Sequence, residues 1–169
     1  CQPTFAPKAY TATWNNLEGY NISDGLLQSW GKMSWDGSHT GQVSTSELVI
    51  TDAVWSDLNP LFQDDTSSSF ISSATMDPLI WYDDDMSTWP HLTKSYNMLN
   101  DTTIEIKTRD GIKWATDPDG SFPNEYVDIE DVYFTLYAWK YLSNDQRIYE
   151  WIEGMEIVDQ YTMRIYIDG

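Results

Sequence analysis

The segment Arg109-Asp110-Gly111-Ile112-Lys113-Trp114, continued by Asp128-Ile129-Glu130-Asp131-Val132-Tyr133-Phe134-Thr135-Leu136, constrains this chain more than any other. Thr102 to Thr108 leads into it by strict alternation, with Ile104 and Ile106 on one face, the pattern of a half-buried strand. Gly111 supplies a turn, and a loop follows. Asp128 starts a helix that opens on acids and runs to about Leu142, with Val132, Tyr133, Leu136 and Trp139 as its buried stripe. On chemistry alone this is strand, turn, loop and helix.

The rest of the chain supplies partners for that unit. Glu47 to Thr51 reads as a short apolar strand that ends in the turn-rich loop Trp55 to Pro60. Ser67 to Ile80 reads as a helix with Ser67 as its N-cap. Phe70, Ile71, Ala74 and Ile80 fall near one face, and Pro78 shortens its end. Asp83-Asp84-Asp85 is an acidic turn. Leu92 to Met98 is a strand, and Met155 to Ile167 holds two strands around Asp159-Gln160. Leu26 to Trp30 has room for one helical turn between Gly25 and Gly31. The expected fold class is α+β, with a mixed or antiparallel sheet and two main helices. Residues 1–46 form a tether and irregular lead-in, and 47–169 the folded part. No closing element follows the last strand, so the chain is expected to be the first part of a longer one.

Composition excludes some function classes. With 27 acids against 9 bases, the net charge is −18. Such a surface repels nucleic-acid phosphates and anionic lipid heads, so no nucleic-acid partner is expected. Aromatics make up 15% of residues, which separates this chain from disordered acidic ones. The surplus serves either core or a binding surface of rigid faces with polar tips. The single cysteine is residue 1, so no intrachain disulfide forms. A lone leading Cys followed by Gln2-Pro3-Thr4 is the pattern of a lipoprotein's mature end, with Cys1 as the lipid attachment site. Each acyl methylene buried in a bilayer contributes ~0.8 kcal/mol. No window approaches the ~18 apolar residues of a membrane span.

Catalytic patterns are missing. His39 and His91 are far apart, and no Ser-His-Asp set, phosphate loop or dinucleotide fingerprint is present. Carboxylates are so plentiful that a glycosidase-like pair carries no information. Asp117-Pro118-Asp119-Gly120, followed by Asn124 and Glu125, lacks Ca²⁺-loop spacing and reads as a solvated loop. No enzyme activity, metal or cofactor is expected. Asn21-Ile22-Ser23 and Asn100-Asp101-Thr102 are glycosylation sequons only in form.

In chain order, several pieces resemble the extracellular solute-binding proteins of peptide, nickel and sugar importers, family 5. Leu48 to Thr51 and Asp57-Leu58-Asn59-Pro60 are similar to "L-v-i-a … d-x-L-D-P". Asp77 to Tyr82 resembles "y-E-p-L-v-x-y-d", and Trp89 to Tyr96 resembles "k-P-x-L-A-x-S-W". Asp101 to Trp114 and 128–136 resemble "D-g-t-x-y-t-f-x-L-R-d-G-v-k-W" and "t-A-e-D-V-v-F-T-l". Glu156 to Tyr166 resembles "i-e-x-v-D-d-y-T-v-x-i-x". Thr93 and Tyr96 stand where the family has Ala and Trp. The family's "D-G-x-P" is stretched here into Asp117 to Pro123.

The resemblance implies the N-terminal part of lobe I of a periplasmic-binding-protein-like class II fold. It implies an extracytoplasmic, lipid-anchored component that captures a small solute by lobe closure and delivers it to an ABC permease. It also implies ligand contacts from Asp64, Asp65 and Thr66, and from Tyr149 and Trp151. Asp64 would pair with a ligand amine, and Tyr149 would lay its ring and hydroxyl on a peptide backbone. Trp114 is a further candidate that equally suits sealing the strand–helix junction. Peptides are the family's usual ligand, but the residues themselves do not choose among peptide, oligosaccharide and metal chelate. Two other readings stay open: a cell-surface structural or adhesion module reusing this subdomain, and a carboxylate hydrolase.

Overall fold

The computed structural model describes residues 12–21, 32–42, 44–49, 53–82, 85, 87–121 and 125–169. Cys1, the 26–30 turn, Ile50-Thr51, Asp83-Asp84 and Asn124 lie outside them. The chain falls into two compact units, Cys1–Ala53 and Val54–Gly169.

In the first unit, β1 (Leu17–Glu18) pairs antiparallel with β2 (Ser34–Trp35). Gly19 takes φ 77° where the chain passes the Lys32 carbonyl, and a Cβ there would lie 2.0 Å from that oxygen. Only glycine fits so close a left-handed approach. Trp14 stacks on His39 with centroids 3.5 Å apart. The Trp35 indole N–H donates to the Glu47 carbonyl at 3.1 Å. Glu47 to Val49, expected to begin a strand, is irregular, and Val49 is 85% exposed. An apolar run becomes a strand only where a ladder partner takes its N–H groups.

The second unit is built on a four-stranded antiparallel sheet: β5 (Thr93–Asn100), β6 (Thr103–Thr108), β7 (Ile152–Asp159) and β8 (Thr162–Ile167), in the order β5-β6-β8-β7. Period-two alternation aligns its side chains in rows. Tyr96, Ile106, Met163 and Ile157 form one row, and Met98, Ile104, Ile165 and Met155 another. Between them runs the polar row Asn97, Glu105, Arg164 and Glu156. One face is therefore apolar and the other charged, as in a sheet covered on one side. The strands match the expected positions, with β5 shifted by one or two residues and β7 beginning earlier, at Ile152.

Helix α2 (Ile129–Leu142) packs against β7 and β8. Its N-terminus carries a capping box. The Asp128 carboxylate accepts from the Glu130 N–H at 2.9 Å, and Asp131 accepts from the Asp128 N–H at 3.0 Å. The Ile129 N–H donates to the Gln160 carbonyl at 3.0 Å, fixing the helix start to the β7–β8 turn. Ile129 and Val132 join Ile106, Ile152, Met163 and Ile165 in the core, with Tyr133, Leu136 and Tyr149 packed against it. Gly111 turns the chain at φ 74°. The excursion that follows closes on itself through Val127 N–H to the Ile112 carbonyl, 2.8 Å, and delivers the chain to Asp128.

Helix α1 (Thr66–Thr75) is shorter than expected and differently faced. Its N-cap is Asp65, not Ser67. It stops at Met76 because Pro78 lacks an N–H and disfavours helical backbone before it. Ile80 instead opens β3 (Ile80–Tyr82), which pairs with β4 (Thr88–Pro90). Ser67, Ser68 and Ser72 are its buried residues, while Phe70 and Ile71 are half-buried and Ala74 is exposed. The fully buried positions of α1 are thus hydroxyl-bearing rather than apolar.

Candidate functional site

Five of the six expected ligand residues occupy two segments tied together at one point. The loop before α1 turns on Asn59, whose carbonyl accepts from Phe62 N–H at 3.0 Å and Gln63 N–H at 3.1 Å. Just past α2, the Asn144 N–H donates to the Leu61 carbonyl at 2.9 Å, and its side-chain amide donates to the Phe62 carbonyl at 3.0 Å. Asn144 therefore holds the loop that leads to Asp64, Asp65 and Thr66. It also precedes the 3-10 turn Gln146–Tyr149, which leads to Trp151. Trp114 lies elsewhere, on the 112–127 excursion, where its N–H donates to the Glu125 carbonyl at 3.1 Å. It is 51% exposed, so it seals no junction completely.

Asp65 and its neighbour have different duties. Asp65 accepts from Ser68 N–H at 2.8 Å, Ser68 hydroxyl at 2.6 Å and Ser56 N–H at 3.0 Å, and also from the Ser56 hydroxyl. Ser68, fully buried, also accepts from the Ser56 N–H at 3.0 Å and the Asp57 N–H at 3.3 Å. This knot caps α1 and fastens residues 56–57 to it. Asp64 is exposed, and its carboxylate accepts from the Ser56 hydroxyl at 3.2 Å. Thr66 is exposed at the first helical position. The knot leaves Asp64 as the carboxylate on this loop better disposed toward solvent. The sequence signal for Ser68 was an acid three residues ahead of a serine, the spacing of a cap and its N3 position. Nothing local marked Asn144 or Ser56.

The Ser56 hydroxyl, followed by the Ser68 hydroxyl and amide, holds the Asp65 carboxyl far below the usual carboxylate range. A group depressed in the folded state contributes stability that is complete above its unfolded value, near 3.8, and lost as pH falls through its folded value. Acidification from neutral pH to about 4 is therefore expected to leave the knot closed. Amide exchange at Ser68 checks this: protection should hold to that point and fail only at lower pH.

Tyr149 is half-buried. Its ring lies against Trp139, centroids 5.7 Å apart and planes 27° from parallel. Burial, then the charge of Asp145, raises its phenol above the ordinary value, so it stays a neutral donor at physiological pH. Trp151 is 43% exposed, and its carbonyl accepts from Asp168 N–H at 3.4 Å. An exposed carboxylate, a neutral phenol and an exposed indole can bind a polar organic molecule. They assemble no nucleophile–base pair. Among the described residues no group of three or more His, Cys, Asp or Glu is arranged for a metal ion. No helix among them is long and apolar enough to cross a membrane. Asp117 uses its carboxylate to accept from Asp119 and Ser121 N–H groups within its own loop, as a solvated turn does.

Comparison with solved structures identifies the class of fold. The chain resembles MoaA of A. tumefaciens R10, a solute-binding protein solved with mannopinic acid. They share a TM-score of 0.56 and 25% identity, over 66% of this chain and 23% of that one. It resembles the oligopeptide-binding protein AppA of Bacillus subtilis, solved with a nonapeptide, with TM-score 0.56 and 18% identity over 71% of this chain and 23% of that one. The ABC transporter substrate-binding protein CtaP of Listeria monocytogenes gives 0.51 and 24%, over 65% and 22%. No family model matches the chain, and no curated protein matches it.

The chain thus carries the α+β fold of part of a periplasmic-binding-protein-like molecule, and the likeness to the family 5 solute-binding proteins is recovered in three dimensions. The match spans less than a quarter of the length of these three proteins. All three are named as binding proteins.

Proposed function

We propose that this chain is part of the extracytoplasmic substrate-binding component of an ABC importer, lipid-anchored through Cys1, which captures peptides or similar small solutes for a permease. The shared fold with MoaA and AppA carries this reading. Asn144 supports it by fastening the Asp64 loop beside the segment bearing Tyr149 and Trp151. Asp64 accepts a charge-assisted hydrogen bond from the ligand's amine, and Tyr149 and Trp151 offer ring faces and a hydroxyl to its backbone. Residues 47–169 act as part of the first lobe, behind a tether formed by 1–46. Asp65 holds the loop through its cap on α1, Thr66 adds an exposed hydroxyl beside it, and Trp114 is a separate candidate contact on the 112–127 excursion.

Native mass spectrometry of the protein purified from its host tests the reading. The expected spectrum shows diacylglycerol mass on Cys1 and a co-purified solute that Asp64→Asn weakens about tenfold, the worth of one charge-assisted bond. An unacylated Cys1 would remove the anchor. A protein that carries no solute and binds neither a nonapeptide nor mannopinic acid would remove the capture role.

A further inference from the structure

We propose that the β3–β4 hairpin carries a second site, for an organic cation, formed by Trp81, Trp89 and His91. The two indoles are directly opposed across the hairpin. Their centroids lie 6.5 Å apart, with planes inclined by 25°. His91, just past β4, stands at 78° to Trp81 and 82° to Trp89, with centroid distances of 5.5 and 6.0 Å. The centroids thus mark a nearly equilateral triangle, with two rings roughly parallel and the third crossing both. A positive group seated over the indole faces lies within the ~6 Å cation–π range of both, with His91 crossing beside it as a wall.

The surroundings favour positive charge. Asp77 Oδ1 lies 2.8 Å from His91 Nε2, and the Asp77 side chain is 67% exposed. With the imidazole neutral, its Nε2–H donates to that carboxylate, which fixes the ring's orientation and keeps an acceptor at the rim. Asp85 stands exposed in the connecting segment, where it accepts from the Ser87 N–H at 2.9 Å. No Lys or Arg occurs between Asp77 and Thr93. Arg109 is the cation that reaches the hairpin, where its guanidinium donates to the carbonyls of Thr93 and Pro90, at 3.3 and 3.4 Å. The chain's net charge of −18 raises the local concentration of cations.

The trio lies apart from the main core. None of the three rings belongs to the core cluster between sheet and helix, and Trp89 is 41% exposed. The site takes no residue from the Asp64–Tyr149 surface, so it stands or falls separately from solute capture.

Tetramethylammonium chloride titrated into the full chain is the test, read by the indole N–H resonances of Trp81 and Trp89. Sodium chloride at matched ionic strength and tert-butanol, an uncharged molecule of similar shape, are the controls. The expected result is a saturable shift of both resonances with tetramethylammonium alone. Trp89→Phe should weaken binding about threefold and Trp89→Ala about tenfold, following ring quadrupole strength. Asp77→Asn should weaken it as well. The phenylalanine variant keeps an aromatic cross-strand partner and carries the test if the alanine variant unfolds. An equal response to tert-butanol, no saturation, or an affinity indifferent to Trp89→Phe would overturn the proposal.

Discussion

Ile129→Ala is expected to destabilise the Val54–Gly169 unit by about 2–5 kcal/mol, the range for truncating a buried isoleucine. Ile129 is completely buried and packs within a core of six buried residues. Domains of this kind are held by roughly 5–15 kcal/mol in all, so the loss is a large share of the whole. Ile129 is also where helix and sheet meet, because its N–H is bonded to the Gln160 carbonyl in the β7–β8 turn. A cavity there loosens the helix start as well as the packing. Urea unfolding followed by far-UV circular dichroism should show a lower midpoint with an unchanged slope. Phe134→Ala, on the exposed side of the same helix, should shift the midpoint little. A cost below about 1 kcal/mol for Ile129→Ala would mean that α2 does not pack on the sheet as described.

Ser68→Ala is expected to cost about 1–3 kcal/mol, although it removes a single oxygen. That oxygen donates to Asp65 and accepts from the N–H groups of Ser56 and Asp57, within a fully buried residue. The Ser56 N–H keeps a second acceptor in Asp65, so the largest deficit falls on Asp57. Amide exchange should accelerate at residues 56 and 57 and at the first turn of α1, while the four-stranded sheet keeps its protection. Loss of the knot should also free the Asp64 loop, so solute affinity should fall without any change at Asp64 itself. Exchange unchanged at Ser56 and Asp57 would contradict the hydrogen-bond assignment.

The sheet and α2 were legible because their periodicities, two and 3.6, match the buried rows and stripe that resulted. Ile104, Ile106, Met163 and Ile165 alternate in the chain and share a face in the fold. Asp128 opens α2 through purely local chemistry. Elsewhere the deciding partner was distant. Ser67 was a plausible cap for α1, but Asp65 took the position because Ser56, from an earlier turn, bonds the same carboxylate. The apolar residues of α1 suggested a greasy inner face. The buried Ser68 and Ser72 instead serve that knot and Gln63, whose amide oxygen accepts from the Ser72 hydroxyl at 2.7 Å. At Glu47 to Val49, apolar character suggested a strand where no ladder forms. The candidate site shows the same division. Asp64, Tyr149 and Trp151 could be named from the family resemblance, but the Asn144 tie between their segments is a contact between distant parts of the chain. The Trp81–Trp89–His91 trio was hidden by reading Ile80 as the end of a helix, since only a hairpin brings positions 81 and 89 face to face.

The order β5-β6-β8-β7 also bears on how the molecule assembles. Each outer pair is a local hairpin, able to zip within microseconds of its strands becoming available. The central seam between β6 and β8 joins segments far apart in the chain, with α2 in the span between them. Closing that span carries the largest entropic penalty, and each ladder bond across it forms late. Two preformed ribbons must therefore find each other with the helix docked as their wedge. Until they do, each ribbon leaves bare the edge that the seam later covers, which invites the wrong neighbour, and synthesis, which produces β8 last of the four, sets how long that exposure lasts.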